Sequence, residues 1–197
     1  MHVGISAGGT FCTEDGGQAW EPRNKGVLAD FLPEKYPEVG QCVHHMESHP
    51  AKPEVLYKQN HCAVYRSDDG GGIWIEISEG LPSRFGFPIR IHPQDPDTIY
   101  VIPEDSPEFR CPVNGDLAVY RSRNRGKSWQ NLDKGLPNRN AYLNILRQAM
   151  AIDTCDPCGI YVGTSTGQIL YSRDEGDSWD VLTHWLAPVY SVECAVI

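Results

Sequence analysis

The stretch AVYRSDDGGGIW (Ala63–Trp74) decides the fold, because its first five residues recur unchanged at Ala118–Ser122 and the pattern of its last eight occurs four times in the chain. SDDGGGIW (Ser67–Trp74) is matched by TEDGGQAW (Thr13–Trp20), SRNRGKSW (Ser122–Trp129) and SRDEGDSW (Ser172–Trp179). The four tryptophans stand 54, 55 and 50 residues apart, a period that marks stacked supersecondary units. Each position in the frame has a physical reason. The Ser or Thr closes a strand and offers a hydroxyl to the turn. Asp15, Asp69 and Asp174 can accept backbone N–H groups, and Asn124 can do so without the charge. Gly17, Gly71, Gly126 and Gly176 suit a residue with positive φ. Trp20, Trp74, Trp129 and Trp179 then bury a large ring to anchor the strand that follows.

The repeat extends backward. SHPAKPEVLYKQN (Ser48–Asn60), IHPQDPDTIYVIP (Ile91–Pro103) and IDTCDPCGIYVGT (Ile152–Thr164) align without gaps from His49, His92 and Asp153 to Tyr57, Tyr100 and Tyr161. Each unit therefore reads as strand, Pro-rich turn, strand, loop, strand, tight turn, strand, which is the four-stranded blade of a β-propeller. GLP at Gly80–Pro82 and Gly135–Pro137 leads from one blade to the next. The expected fold is all-β, a single propeller domain of about four antiparallel blades. The blades are expected near residues 1–26 with 188–197, 42–80, 86–135 and 144–185.

The frame Ser/Thr-x-Asp-x-Gly-x-Thr/Ser-Trp resembles the Asp-box, or BNR repeat, of sialidase-like and other β-propellers. HVGISAGGTFCT (His2–Thr13) aligns on YVGTSTGQILYS (Tyr161–Ser172), so the first blade begins at its second strand. PVYSVECAVI (Pro188–Ile197) falls where an innermost strand would follow the fourth frame. Pairing of that C-terminal strand with the N-terminal blade is expected, closing either a ring of four or the end of a larger propeller of which this is the C-terminal part. It would also cover an exposed strand edge, with self-association the alternative for an incomplete ring.

Composition narrows the partners. Net charge is −9 and the sequence pI about 5.2, which argues against binding a nucleic-acid backbone. No apolar run is long enough to span a membrane. MHVGISAGGT has neither the basic start nor the apolar stretch of a signal peptide, and there is no Asn-x-Ser/Thr acceptor. Seven cysteines in no disulfide-framework spacing read as free thiols in a reducing, cytoplasmic compartment. Cys155-Asp-Pro-Cys158 lies in a strand 1-to-2 turn, as turn cysteines or a local disulfide, without the further ligands a structural zinc requires.

Blade geometry puts the repeated turns on one face and the strand 2-to-3 loops with the blade-to-blade connections on the other. The resemblance implies that a ligand sits at this second face, near the channel mouth, so the repeating residues are read as scaffold. The candidates at the mouth are His45, Glu47, Arg84, Arg90, Tyr142, Arg147 and Glu193, with Phe85, Arg139, Asn140, Asn144, Tyr36, Trp185 and Tyr190 around them. Arginine and carboxylates beside aromatics suit sugars or peptide carboxylates. The long loop Pro103–Asp116 is an insertion on this face, where repeat proteins place binding. His44, His45, Glu47 and His49 crowd one strand, with His45, Glu47 and His49 expected on one side. His49 shares the repeat position of His92 and is read as architectural, so neither a metal nor a cofactor is expected.

Sialidases hold a substrate carboxylate with three arginines and use a Tyr–Glu nucleophile pair with an Asp acid/base, and they carry an Arg-Ile-Pro motif. Here FPIR (Phe87–Arg90) has the wrong order, and Arg66, Arg121 and Arg173 belong to the repeat, so no catalytic residue is transferred. Xyloglucan-degrading propellers use paired aspartates, for which Asp105 and Asp116 are the candidates. The favoured expectation is a non-catalytic propeller that presents a mouth to a protein or glycan, like photosystem assembly factors or sortilin-type ectodomains. The alternative is a glycoside hydrolase, sialidase-like or xyloglucanase-like, or a part of one.

Overall fold

The computed structural model describes residues 1–196. It is all-β, with four antiparallel meander sheets and a single 3-10 turn at Val113–Gly115. The first sheet has three strands, β1 (His2–Ile5), β2 (Gly9–Cys12) and β3 (Glu21–Pro22). The second runs β4 (Val43–His49), β5 (Lys52–Asn60), β6 (Val64–Ser67) and β7 (Ile75–Glu76). The third runs β8 (Gly86–His92), β9 (Asp95–Pro103), β10 (Val119–Ser122) and β11 (Gln130–Leu132). The fourth runs β12 (Met150–Ile152), β13 (Ile160–Gly163), β14 (Ile169–Ser172) and β15 (Asp180–Thr183). These are the blades of a propeller, and their registers repeat: Tyr57 faces Arg66, Tyr100 faces Arg121 and Tyr161 faces Tyr171.

Successive blades pack face to face, so the second strands are buried on both sides. This is why burial runs unbroken through Val55–Asn60 in β5 and Thr98–Pro103 in β9 rather than alternating, and in β5 it takes in the polar Lys58, Gln59 and Asn60. One core cluster joins Val27 to Leu56, Tyr65 and Trp74 across the first two blades. A second joins Val55, Tyr57 and Ile77 to Ile89, Ile99 and Val101 across the next pair. The largest joins Tyr100, Val119 and Leu132 to Ile160, Val162 and Trp179 across the last pair.

The eight-residue frame makes one hydrogen-bond pattern four times. In the second blade Ser67 Oγ donates to Asp69 Oδ1 (2.7 Å), accepts from Gly71 N (2.8 Å), and Asp69 Oδ1 accepts from Ile73 N (3.0 Å). Thr13, Asp15, Gly17 and Ala19 repeat it, as do Ser122, Asn124, Gly126 and Ser128, and Ser172, Asp174, Gly176 and Ser178. The Ile73 N–H and then the Ser67 hydroxyl hold the Asp69 carboxyl below its usual range. Asn124 shows that the geometry does not need the charge. Asp69→Ala should therefore cost about 1 kcal/mol and Asp69→Asn clearly less. Because the folded pKa is depressed, the wild-type carboxylate stabilises above its unfolded pKa and that contribution is lost as pH falls. Asp69→Asn should accordingly flatten the acid limb of stability against pH, measured by urea unfolding from pH 3 to 7. An unchanged acid limb would refute the assignment.

The second, third and fourth frames are also tied to the blade before them. The Trp74 indole N–H donates to Arg23 O (2.8 Å) and the Trp129 indole to Ile77 O (2.9 Å). The backbone N–H groups of Trp74 and Trp179 donate to Lys25 O and Lys134 O (2.9 Å each). Trp74, Trp129 and Trp179 thus anchor onto the preceding blade more than onto the strand that follows them, whereas Trp20 is exposed. Between the first two blades the amine of Lys58 is fully buried, 2.9 Å from Thr10 Oγ1 and 3.8 Å over the Trp74 ring.

The C-terminal segment corrects one expectation. Its described residues do not pair with the N-terminal blade. Val189 N donates to Thr164 O (3.0 Å), Val192 N to Gln148 O (2.8 Å), and Gln148 bridges Ser191 in parallel. The segment therefore lies along the fourth blade it has just left; Ile197 lies outside the described residues. Two local causes are visible. The approach to β12 is irregular, which leaves Gln148 free to bond, and Gly163 has no Cβ where Val189 and Val192 come in. Beside the uncovered edge of β1 lies a cavity of about 300 Å³, lined by His2, Val3, Gly4, residues 43–46 and Gln148.

Candidate functional site

Innermost strands β4 and β8, with the approach to β12, turn polar side chains toward one another at the axis. Arg90 is the hub. Its Nε donates to Met150 O (2.6 Å), and its terminal nitrogens reach His45 Nε2 (2.6 Å), the Glu47 carboxylate and Gln148 Oε1 (3.4 Å). His45 Nδ1 donates to Arg147 O (2.7 Å), which leaves Nε2 to meet Arg90 and Glu47 Oε1, the latter at 3.3 Å. Glu47 Oε2 accepts from Ile91 N (3.0 Å). Burial would raise the Glu47 pKa, but the His45 ring and the Arg90 guanidinium outweigh it and hold the carboxyl below its usual range. Glu193 joins Glu47 and Arg90 on the wall of a cavity of about 350 Å³. Arg147 is turned away from this group, with its guanidinium 5.1 Å over the Phe87 ring.

The structure thus brings His45, Glu47 and Arg90 together and sets His49 apart. Register shifts at both ends of β4 break the simple alternation, and His49 Nε2 bonds Pro93 O (2.8 Å) instead. Among the arginines of the repeat, Arg66 donates to Arg125 O (2.6 Å) and Arg121 to Glu175 O (2.9 Å), each in the turn of the next blade. Arg173 lies over its own Tyr171.

The long loop folds back on itself. Glu104 bridges Pro112, and Asp105 N donates to Cys111 O (2.8 Å). Its two flanks form walls of two separate cavities. One, about 350 Å³, is lined by Asn114, Asp116, Asn131, Asp133, Arg139 and Tyr120 among others. The other, about 470 Å³, is lined by Asp30, His61, Arg84, Phe85 and Asp105 among others. Asp105 and Asp116 therefore do not share a cavity. Arg84 is paired with Glu76 (2.6 Å), and Tyr142 is exposed. Buried Glu104 Oε1 accepts from Ile145 N (2.9 Å), and burial pushes its carboxyl up to about 7.

A further cluster lies at the same face and was not anticipated. Cys42 Sγ and one ring nitrogen each of His44 and His61 lie within 4.8 Å of one another. The two imidazoles, His44 first and then His61, bring the Cys42 thiol down to about 5 against the effect of burial. Neighbouring Cys62 turns away and donates to Asp30 Oδ1 (3.0 Å). Nothing in the linear spacing reveals the trio, because His61 arrives from the β5–β6 loop. All seven cysteines are free thiols, and Cys155 is exposed while Cys158 is buried.

No protein-family model matches the sequence, and no curated protein is recognisably similar to it. Solved structures do match. An ancestral GH74 enzyme superposes over 90% of this chain with a TM-score of 0.67 at 15% identity. The GH74 xyloglucanase from Xanthomonas campestris superposes over 70% with a TM-score of 0.56 at 24% identity. This chain spans only 22% and 20% of the lengths of those two proteins. At these identities the likeness concerns the fold.

Proposed function

We propose that this chain is a non-catalytic Asp-box propeller, of sialidase-like descent, that binds a protein or glycan ligand at the face carrying the long loop. The observation that carries this reading is the separation of Asp105 from Asp116 into two cavities. Glycoside hydrolysis needs two carboxyl groups roughly 5–9.5 Å apart across one bond. Asp105 and Asp116, on walls of different cavities, do not form such a pair. The amide and carboxylate lining around Asn114, Asp116 and Asn131, beside Tyr120, favours sugar hydroxyls over an apolar ligand. The acidic surface and free thiols keep nucleic acid out of the reading and favour the cytoplasm.

The test is calorimetric titration with xyloglucan oligosaccharide and with sialyllactose, run beside turnover assays on the same sugars. Binding of one of them without turnover is expected, and Asp116→Ala should weaken it at least about tenfold, the effect of losing one strong polar contact. Binding unaffected by Asp116→Ala would discard the cavity, and turnover would discard the non-catalytic reading.

Glycoside hydrolysis is the second reading. It is favoured by Glu47 and Glu193 lining one axial cavity, and by a xyloglucanase among the proteins of similar fold. Release of reducing sugar that disappears in Glu193→Gln would support it. The uncovered edge of β1 makes self-association a further expectation, read as concentration-dependent sedimentation.

A further inference from the structure

We propose that Cys42, His44 and His61 form a site for a divalent transition-metal ion of zinc's ligand preference, with its fourth position open on the mouth face. Three observations converge. First, one thiol and two imidazoles are a soft S/N donor set, suited to zinc and poor for calcium or magnesium, which take oxygen. Their donor atoms already lie within 4.8 Å of one another, whereas donors in a tetrahedral zinc site stand about 3.5 Å apart at bond lengths of about 2.0–2.3 Å. Small side-chain rotations close that difference.

Second, the donors are pre-positioned. His44 Nδ1 meets Gly86 O at 2.6 Å, so that nitrogen carries the proton and Nε2 is left with its lone pair for a metal. A hydrogen bond from the other ring nitrogen to a carbonyl is the outer contact that metal-binding histidines make. The His44 ring is stacked on Phe87, with centroids 4.7 Å apart. His61 is fixed by edge contacts with Phe31 and Phe85, at 5.0 and 5.5 Å. His61 N donates to Cys42 O (3.0 Å), which pins the loop that brings the third donor to the strand that brings the first.

Third, the shell fits an ion with one exchangeable position. Phe31, Phe85, Phe87 and His61 wall the group with aromatic rings, while His61 also lines the 470 Å³ cavity that holds Arg84 and Asp105. Three protein ligands plus an open position facing a cavity is the arrangement of a zinc site that takes a water or a ligand atom, unlike the closed four-ligand structural site.

The experiment is a cobalt and zinc titration of the full chain after chelator treatment. One equivalent of Co²⁺ should give the thiolate-to-cobalt charge-transfer absorption in the near ultraviolet and tetrahedral-intensity bands in the visible, and Zn²⁺ should erase both. Cys42→Ser should abolish the charge-transfer band. Cys42→Ser and His61→Ala should each weaken Zn²⁺, in competition with a chromophoric chelator, by more than the roughly 10–100-fold that loss of an outer contact costs. Cys62→Ser, next to the site but turned to Asp30, should leave spectrum and affinity unchanged. Zn²⁺ should raise the melting temperature of the wild type and not of Cys42→Ser, which also checks that the variant folds. The proposal is overturned by absence of stoichiometric Co²⁺ binding, by a charge-transfer band that survives Cys42→Ser, or by one ion bridging two chains.

Discussion

Trp74→Ala is expected to destabilise the protein by about 3–5 kcal/mol, the range for deleting a buried aromatic ring. The ring is 3% exposed and sits in the cluster that joins the first two blades. Three losses coincide. The apolar surface of Val27, Leu56 and Tyr65 loses its neighbour, and Arg23 O loses the indole donor. The buried Lys58 amine loses the π face 3.8 Å away and keeps only Thr10 Oγ1. Burial alone already draws the Lys58 pKa well below its ordinary value, so an amine stripped of its aromatic partner is costlier still to keep protonated. The unfolded chain binds that proton more readily, so stability should rise with pH between the folded and unfolded pKa values, over a wider span in Trp74→Ala than in the wild type. Trp20 is the internal control. It occupies the same place in the frame but is 39% exposed, and Trp20→Ala should cost well under half as much. Urea unfolding of both variants measures the difference. Equal losses would show that the ring stabilises its own turn and not the joint between blades. At about 2–4 °C per kcal/mol for a chain of this size, Trp74→Ala should lower Tm by roughly 10 °C.

The contrast between Trp20 and Trp74 also marks what the sequence makes legible. The frame Ser/Thr-x-Asp-x-Gly specifies a turn whose donors and acceptors are all local, so the four turns, their registers and the blade order can be read from the chain. The partner of each tryptophan cannot, because Arg23 O and Ile77 O are backbone atoms of another blade and carry no residue signature. The same limit explains the C-terminal segment. Its position after the fourth frame marks the segment from Pro188 as a strand, but whether Gln148 or the edge of β1 takes its hydrogen bonds depends on the irregular approach to β12. At the axis, period-two alternation correctly joins His45 to Glu47 and fails at His49, where the register shifts. Cys42 and His61 are 19 positions apart with no motif between them, and only the return of β5 beside β4 brings them together. Local chemistry is thus readable one turn at a time, and sites assembled between strands are not.

Arg90→Met tests whether the axial group is a binding site or a clamp, and a loss of about 3–5 kcal/mol is expected. Arg90 and Glu47 have side chains only 13% and 24% exposed, so removing the guanidinium leaves a largely buried carboxylate without its counter-charge. Met150 O, from the fourth blade, loses its donor at the same time. Three blades are joined through this one side chain, since His45 and Glu47 come from the second, Arg90 from the third and Met150 from the fourth. The sign of the pH dependence follows from the Glu47 carboxyl. In the wild type it is held below its usual range, so its contribution is present at neutral pH and lost as pH falls. In Arg90→Met burial acts without Arg90 and raises that pKa, so the variant is penalised most at neutral pH and least near pH 4. Glu47→Gln added to Arg90→Met removes the charge while leaving an amide oxygen for Ile91 N. The double variant should recover to within about 1–2 kcal/mol of wild type at pH 7. That recovery is the decisive readout. A clamp is restored by neutralising both partners, whereas an arginine kept for an anionic ligand would show a small stability loss in Arg90→Met, no recovery in the double variant, and a loss of ligand affinity in both.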